Sequence, residues 1–167
     1  TQLTSAERRV AEANLASPQA VGFGTVADLA AAAKVGAASV VRLAYSLCGS
    51  LQIAEELAQE AFVAAHARWA DLHGFDRPDL WVRRVVINRS ISYRRREATE
   101  RRALEQVHGR GGVIESGEQP VGDTELWAAL RELSPRQAEA LALFYVEDQP
   151  LSEVAKILGL GEETVKT

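Results

Sequence analysis

The chain has 167 residues, of which 47% are hydrophobic, and a formal net charge of −4. This length accommodates one large domain or a few small ones, and the apolar content is too high for a chain that is disordered throughout. The single cysteine, Cys48, excludes an internal disulfide, and no apolar run approaches the roughly 20 residues of a membrane span. Since the first ten residues also lack the apolar core of a signal peptide, we expect a cytoplasmic protein.

Helical patterns occupy the chain up to about residue 102. Thr4 and Glu7 form a capping box that opens an amphipathic stretch, and Thr25 is a second candidate N-cap. A tight break at 34–36 and Gly49 separate the helices that follow. Ala and Leu dominate and strand-like alternation is rare, so we predict an all-α fold. The predicted helices cover residues 25–33, 37–47, 51–69 and 79–102, with a loop over 71–78.

A glycine-rich segment divides the last part of the chain from the rest. Residues 107–122 contain five glycines and few apolar residues, which predicts a flexible linker. Ser134-Pro135 is a strong helix start, because serine can cap a helix and proline fits its first position. We expect helical units at 1–47, 41–106 and 123–167, the first two sharing helix 37–47. Short helices are predicted over residues 123–133, 135–145, 151–158 and 162–167.

Positive charge concentrates in the helix predicted over 79–102. Residues 83–102 hold eight arginines and two glutamates, a local balance of +6 in a chain of net charge −4. A polyanion-binding face requires such focusing, although a solvated helix face is the ordinary alternative. Asn88 lies among the arginines, and Asn and Arg can hydrogen-bond base edges. We expect Arg83 and Arg94 to face the DNA backbone or solvent.

Two helix–turn–helix patterns flank this central part. Near the end, Ala155, Gly159 and Val165 have the small-residue, turn and anchor spacing of a DNA-reading helix pair, although any helical hairpin can show it. The same spacing recurs around Lys34, where lysine replaces the usual glycine. We expect a strained turn there, because positive φ disfavours a non-glycine residue.

Motifs of one family follow in order through the central and C-terminal parts. They lie at residues 41–45, 54–62, 77–78, 81, 83–85, 88, 126–130, 133–137 and 151–155. With these motifs, the chain from residue 41 onward resembles an extracytoplasmic-function sigma factor of the sigma-70 family. The resemblance implies a sigma region 2-like helical domain over 41–106 and a region 4-like helix–turn–helix domain over 123–167. It also implies a non-enzymatic initiation factor that directs RNA polymerase to promoters.

A second resemblance covers the N-terminal part. Its motifs lie at residues 3–4, 7–12, 18, 27–30 and 39–42. Residues 3–47 are similar to the N-terminal helix–turn–helix domain of the RpiR family of sugar-responsive regulators. We interpret the chain as a fusion through the shared helix, with convergence on a common fold as the alternative. The alternative function is an RpiR-type DNA-binding regulator that lacks the sugar-binding domain.

The sigma resemblance implies a docking helix for RNA polymerase. In such factors an acidic helix docks on the clamp of the large subunit of core polymerase, through charge steering and an apolar patch. A solvated acidic face is the ordinary alternative. The residues that match this helix are Glu55, Glu56, Gln59, Glu60 and Phe62.

The resemblance also implies contacts to the opened −10 element of the promoter. A loop and the helix after it would capture unstacked bases by stacking and hydrogen bonding. The residues assigned to this role are His73, Phe75, Arg84, Asn88, Arg94, Arg95 and Arg96.

Two further DNA contacts follow from the helix–turn–helix patterns. The last helix would read the −35 element with outward side chains, and we expect this contact to be incomplete because family members continue with further basic residues. The residues assigned to the −35 element are Glu163, Thr164 and Lys166, and those assigned to DNA by the N-terminal pattern are Ala38, Ser39 and Arg42.

Enzyme chemistry has no counterpart in the sequence. We find no glycine-rich phosphate loop, no clustered metal ligands and no nucleophile with a paired base, so we expect neither catalysis nor a metal or cofactor. The expected partners are core RNA polymerase and promoter DNA, with an anti-sigma factor as a further candidate and no membrane. Binding to core polymerase distinguishes the sigma factor from the alternative, an RpiR-type regulator that binds DNA without polymerase.

Overall fold

A computed structural model describes residues 25–108 and 124–166, and all regular structure within these two ranges is helical. The all-α prediction is therefore confirmed. The amphipathic stretch predicted to open at Thr4 and nearly all of the predicted linker lie outside the described residues.

Local sequence signals set the helix ends in the first range. Its helices are α1 (Val26–Ala32), α2 (Ala37–Cys48), α3 (Leu51–Ala67), α4 (Trp69–Leu72) and α5 (Pro78–His108). The Thr25 hydroxyl caps α1 by accepting a hydrogen bond from the Asp28 N–H at 3.2 Å, and Ser50 caps α3 by accepting from the Ile53 N–H at 3.4 Å. Gly49 ends α2 with a φ of 83°, a conformation that costs glycine little.

Two predicted boundaries shift in this range. The helix predicted over 51–69 ends at Ala67, and the backbone leaves helical geometry at Arg68 before α4 begins. Because α4 takes up part of the predicted loop, only residues 73–77 separate it from α5. α5 starts at Pro78, which suits the first turn of a helix, and extends beyond its predicted end to His108.

The second range contains α6 (Thr124–Glu132), α7 (Pro135–Leu141), α8 (Leu151–Leu158) and α9 (Glu162–Lys166). The start of α7 follows the predicted signal, because the Gln137 side chain accepts a hydrogen bond from the Ser134 N–H at 3.3 Å. The helix predicted over 135–145 is α-helical only as far as Leu141. After α7 the chain forms one π-helical turn over Ala142–Val146, a wider turn that is rare in proteins.

The turn after α1 adopts the conformation expected from its sequence. Lys34 has a φ of 55°, although it carries a side chain. The Val35 N–H donates to the Ala30 carbonyl at 3.0 Å and the Lys34 N–H to the Ala31 carbonyl at 3.1 Å. These two bonds form the Schellman pattern that ends many helices, and they hold the strained residue in place.

One hydrophobic core joins the two described ranges. α2 packs against α3 and α5, and also against α6 and the π-helical turn. Removing each large side chain of this core from water contributes about 1.5–3 kcal/mol. α2 runs unbroken through residues 41–45. The largest fully buried side chains from both ranges include Leu43, Leu47, Phe62, Ile87 and Leu143.

Candidate nucleic-acid interface

The arginines of α5 do not form one uniform positive face. Arg83 is only 8% exposed, and Arg89 pairs with Glu60 of α3. Arg94 is half-buried and its Nη2 donates a hydrogen bond to the carbonyl oxygen of Arg131 in α6. The solvent-exposed positive surface of α5 is therefore smaller than the sequence predicted. The exposed arginines of α5 are Arg95, Arg96, Arg101 and Arg102.

Arg83 joins two buried carboxylates. Its Nη1 lies 2.7 Å from Asp79 Oδ2 on the same helix, and its Nε lies 3.0 Å from Glu147 Oε2, just after the π-helical turn. The prediction that Arg83 faces the DNA backbone or solvent is wrong, because these groups bury one another. Arg94 is only partly covered by α6, so its predicted position facing the DNA backbone stays a prediction.

Glu147 connects the two described ranges. Its side chain has no solvent exposure and accepts a hydrogen bond from the hydroxyl of Ser39 in α2. Arg42 of α2 lies 3.7 Å from the other carboxylate oxygen. The sequence has no signal for this residue, because its partners are more than 60 residues away along the chain.

Asp79 is held by arginines on both sides. Arg77 reaches the two oxygens of its carboxylate at 2.9 Å each, and also lies 3.0 Å from Glu153 of α8. Burial alone would raise the pKa of Asp79, but the hydrogen bonds and charge of Arg77, followed by the charge of Arg83, lower this pKa below its ordinary value. The i, i+4 spacing of Asp79 and Arg83 is the one sequence signal that could have found this group.

The loop over 73–77 presents two aromatic side chains to solvent. Phe75 is 53% exposed, and His73 is also exposed, with its Nδ1 2.9 Å from the Trp69 carbonyl oxygen. Asn88 is exposed on α5, whereas Arg84 is half-buried. An exposed aromatic ring beside a helix with amide and guanidinium groups can stack on a base and hydrogen-bond its edge.

α7 adds a negative charge close to this surface. Burial raises the pKa of Glu139, while the charges of Arg84, Arg136 and Arg95 act to lower it. Two of these arginines, Arg84 and Arg95, were assigned to the −10 element. The second range therefore offsets part of the positive field of α5 in this arrangement.

The acidic face of α3 is mostly open to solvent. Glu55, Glu56 and Gln59 are exposed, whereas Glu60 is half-buried. Phe62 is 1% exposed and lies in the core. Its side chain therefore supports α3 from beneath and does not reach the outer face that a partner would touch.

α8 and α9 form a helix–turn–helix with a left-handed turn. Gly159 has a φ of 67°, and the Leu160 N–H donates to the Ala155 carbonyl at 2.9 Å. The apolar face of α8 is buried. The three residues assigned to the −35 element point outward as predicted, with Lys166 Nζ 2.7 Å from a Glu163 carboxylate oxygen.

The assignment of Ala38, Ser39 and Arg42 to DNA stays a prediction. Ala38 is exposed, but Ser39 and Arg42 face Glu147 of the second range. α2 also packs between helices of both ranges. Two of the three residues therefore also contact the second range, although the Arg42 side chain remains 59% exposed.

Neither a metal site nor a membrane span occurs in the part of the chain that the structure describes. No group of three or more His, Cys, Asp or Glu side chains there could hold a metal ion. No helix within residues 25–108 and 124–166 is long and apolar enough to cross a membrane.

Comparison with known families matches two separate parts of the chain. Residues 37–100 match Sigma-70 region 2, and residues 123–167 match Sigma-70 region 4. The two matches follow the order of the family and cover most of the chain, which therefore belongs to the sigma-70 family. The region 2 match includes all of α2, so the helix that was interpreted as the end of an RpiR-like domain belongs to the sigma part. The proposed RpiR-like fusion finds no support.

Similar curated proteins are sigma factors. The RNA polymerase sigma-E factor of Streptomyces avermitilis is 31% identical over 114 residues, which are 68% of this chain and 63% of that protein. The sigma-E factor of Streptomyces antibioticus is 30% identical over the same shares. The ECF RNA polymerase sigma factor SigW of Bacillus subtilis is 26% identical over 77% of this chain and 75% of its own length. The chain thus spans just under two thirds of the sigma-E relatives.

Proposed function

We propose that this protein is a promoter-specificity subunit of RNA polymerase, of the extracytoplasmic-function type. It binds core polymerase and directs it to promoters with −10 and −35 elements. The observation that carries the proposal is that one chain holds region 2 and region 4 in family order, each with an exposed polar surface. This role requires no catalytic group of its own.

The outer face of α3 is the proposed polymerase contact. Glu55, Glu56 and Gln59 are exposed side by side on a helix whose opposite face is anchored in the core by Phe62. A rigid acidic face suits docking on a basic surface of the clamp of the large subunit, because opposite charges steer association and fix register. An anti-sigma factor as a further partner stays a prediction.

The loop over 73–77 and the part of α5 from Asn88 to Arg96 are the proposed −10 contact. The half-exposed ring of Phe75 can receive an unstacked base, and Asn88 can hydrogen-bond a base edge. Arg95 and Arg96 are exposed and can contact phosphates. Glu163, Thr164 and Lys166 of α9 form the proposed −35 contact.

A pull-down with core RNA polymerase tests the polymerase role. Wild-type protein is expected to bind core polymerase and to support transcription from promoter fragments that core polymerase alone does not use. The Glu55→Lys/Glu56→Lys double variant should bind at least about tenfold more weakly, because it reverses the charge of the docking face.

The matched control reverses two exposed glutamates outside α3, Glu100 of α5 and Glu125 of α6, to lysine. It changes the net charge by the same amount and should bind core polymerase as wild type does. If both double variants bound core polymerase equally weakly, the loss would reflect overall charge and not the docking face. Wild-type protein that fails to bind core polymerase would contradict the proposed function.

A further inference from the structure

A cavity of 480 Å³ lies where regions 2 and 4 meet. The end of α2 and the middle of α5 form one side of it, and the junction between α6 and α7 forms the other. This volume lies within the range of about 300–1,000 Å³ that is usual for small-molecule sites. The charged residues of its wall are Arg94, Arg95, Arg101, Arg131, Glu97 and Glu132.

Two arginines of the wall have buried nitrogen atoms without a partner. Arg94 Nη1 and Arg131 Nη1 are closed off from solvent and have no hydrogen-bond acceptor. The Nη2 of Arg94 is held by the Arg131 carbonyl, which fixes the direction of its guanidinium. Buried charged donors without acceptors are costly, so proteins normally supply them with one.

The positive charge of the cavity is only partly neutralised by its neighbours. Among residues 25–108 and 124–166, neither Glu97 nor Glu132 forms an ion pair with Arg94 or Arg131. Burial lowers the pKa of Arg94 and the charge of Arg131 lowers it further, whereas the charge of Glu97 acts in the opposite direction. The two guanidiniums therefore repel each other inside a partly desolvated space, and an anion between them would relieve this repulsion.

We propose that this cavity binds a small phosphate-bearing anion. Guanidinium groups from α5 and α6 line the same cavity, and such groups suit phosphate oxygens because each offers several N–H donors in a planar fork. The wall combines α5 of region 2 with α6 and α7 of region 4, so the bound anion fastens the two regions together. The site is a concave pocket between them, and this favours a small molecule over a nucleic-acid strand.

Calorimetric titration of the full chain with pyrophosphate at constant ionic strength tests the site. Wild-type protein is expected to bind pyrophosphate saturably, with one molecule per chain. Arg131→Ala should weaken the affinity at least about tenfold, because it removes a charge-assisted donor. Arg131→Lys keeps the positive charge but lacks the planar fork of N–H donors, so its affinity should lie between those of wild type and Arg131→Ala.

Arg102→Ala is the matched control, since Arg102 is exposed on α5 and outside the cavity wall. It should bind pyrophosphate as wild type does, and circular dichroism of each variant checks its fold. Absence of saturable binding to wild type, or equal weakening by Arg102→Ala, would overturn the proposal. This titration needs neither polymerase nor promoter, so its failure leaves the proposed function standing.

A second arm separates a small ligand from a nucleic-acid phosphate. Single-stranded promoter DNA is titrated into complexes of core polymerase with wild type or Arg131→Ala. Unchanged DNA affinity together with lost pyrophosphate binding supports the small-molecule site. Equal losses of both would assign the cavity to a DNA phosphate and overturn the proposal.

Discussion

Asp79 accepts hydrogen bonds from Arg77 and Arg83, and its side chain is almost wholly buried. Both arginines also reach carboxylates of the second range, at Glu153 and Glu147. A single carboxylate at the start of α5 therefore orients two side chains that connect the regions. At the residue scale, some charged groups of the run that was predicted to face DNA, such as Arg83, form ion pairs inside the protein instead.

Acid should weaken the contribution of Asp79 to stability. Its pKa is lowered in the folded protein, so the contribution is fully present above the ordinary aspartate pKa of about 3.9 and is lost as pH falls below that value. Asp79→Asn should cost about 2 kcal/mol at neutral pH and flatten the loss of stability in acid. Urea unfolding between neutral pH and about pH 3 measures both effects.

The control for this prediction is Asp76→Asn, at an exposed carboxylate in the neighbouring loop. This substitution should leave the free energy of unfolding within about 0.5 kcal/mol of wild type. Parallel pH profiles for wild type and Asp79→Asn would show that the paired carboxylate does not contribute as argued.

At the element scale, the turn between α8 and α9 depends on the backbone of one glycine. A Cβ at Gly159 would meet no atom within 4 Å, so space is not the constraint, but its φ is 67°. Gly159→Ala should therefore destabilise the protein by about 1 kcal/mol through backbone strain alone. Gly161→Ala is the matched control two residues later, where the new Cβ has an ordinary 3.9 Å contact to Thr164. An equal loss of thermal stability in the two variants would contradict this account.

α5 is expected to combine two kinds of DNA contact. Asn88→Ala should change the preference among −10 sequences, because an amide can pair with a base edge. Arg96→Ala should weaken binding to all sequences alike and reduce the log–log salt slope by about 0.7–0.9 for the phosphate contact that is lost. Binding of forked promoter DNA across a salt series, with polymerase present, measures both. Arg96→Ala that binds as wild type at every salt concentration would make this surface a solvated helix face.

At the scale of the whole molecule, regions 2 and 4 are packed together. Arg77 and Glu153 lie 3.0 Å apart across this contact, and Glu147 is buried against α2 and α5. The −10 and −35 elements are about 25 base pairs apart by their names, or roughly 85 Å at 3.4 Å per base pair. A protein that reads both elements at once must therefore separate the two regions.

Removing Glu147 should favour this separation. Glu147→Ala leaves the buried guanidinium of Arg83 with only one carboxylate and should destabilise the packed form by about 3 kcal/mol. Small-angle scattering should then show a larger radius of gyration while circular dichroism shows the same helical content. Glu163→Ala, at a surface pair, is the control and should change neither. An unchanged radius of gyration for Glu147→Ala would show that Glu147 does not hold the regions together.

Local sequence determined the elements of this protein. Helix propensity, caps such as Thr25 and Ser134, and turn residues such as Gly49 and Gly159 act over one or two turns, so the all-α fold and most helix positions could be predicted. The family motifs are short runs of neighbouring residues, so they could be recognised in the sequence, and they indicated sigma regions 2 and 4.

Tertiary structure alone decided which charged residues are available to partners. Arg83, Arg89 and Arg94 lie in one arginine-rich run with Arg95 and Arg96, but their neighbours come from distant parts of the chain. Glu147 could not be recognised, because its three partners belong to α2 and α5. The cavity at the contact between the regions could not be predicted either, since its walls come from separate segments. A sequence specifies short-range geometry directly, whereas long-range packing determines which charges are buried and paired.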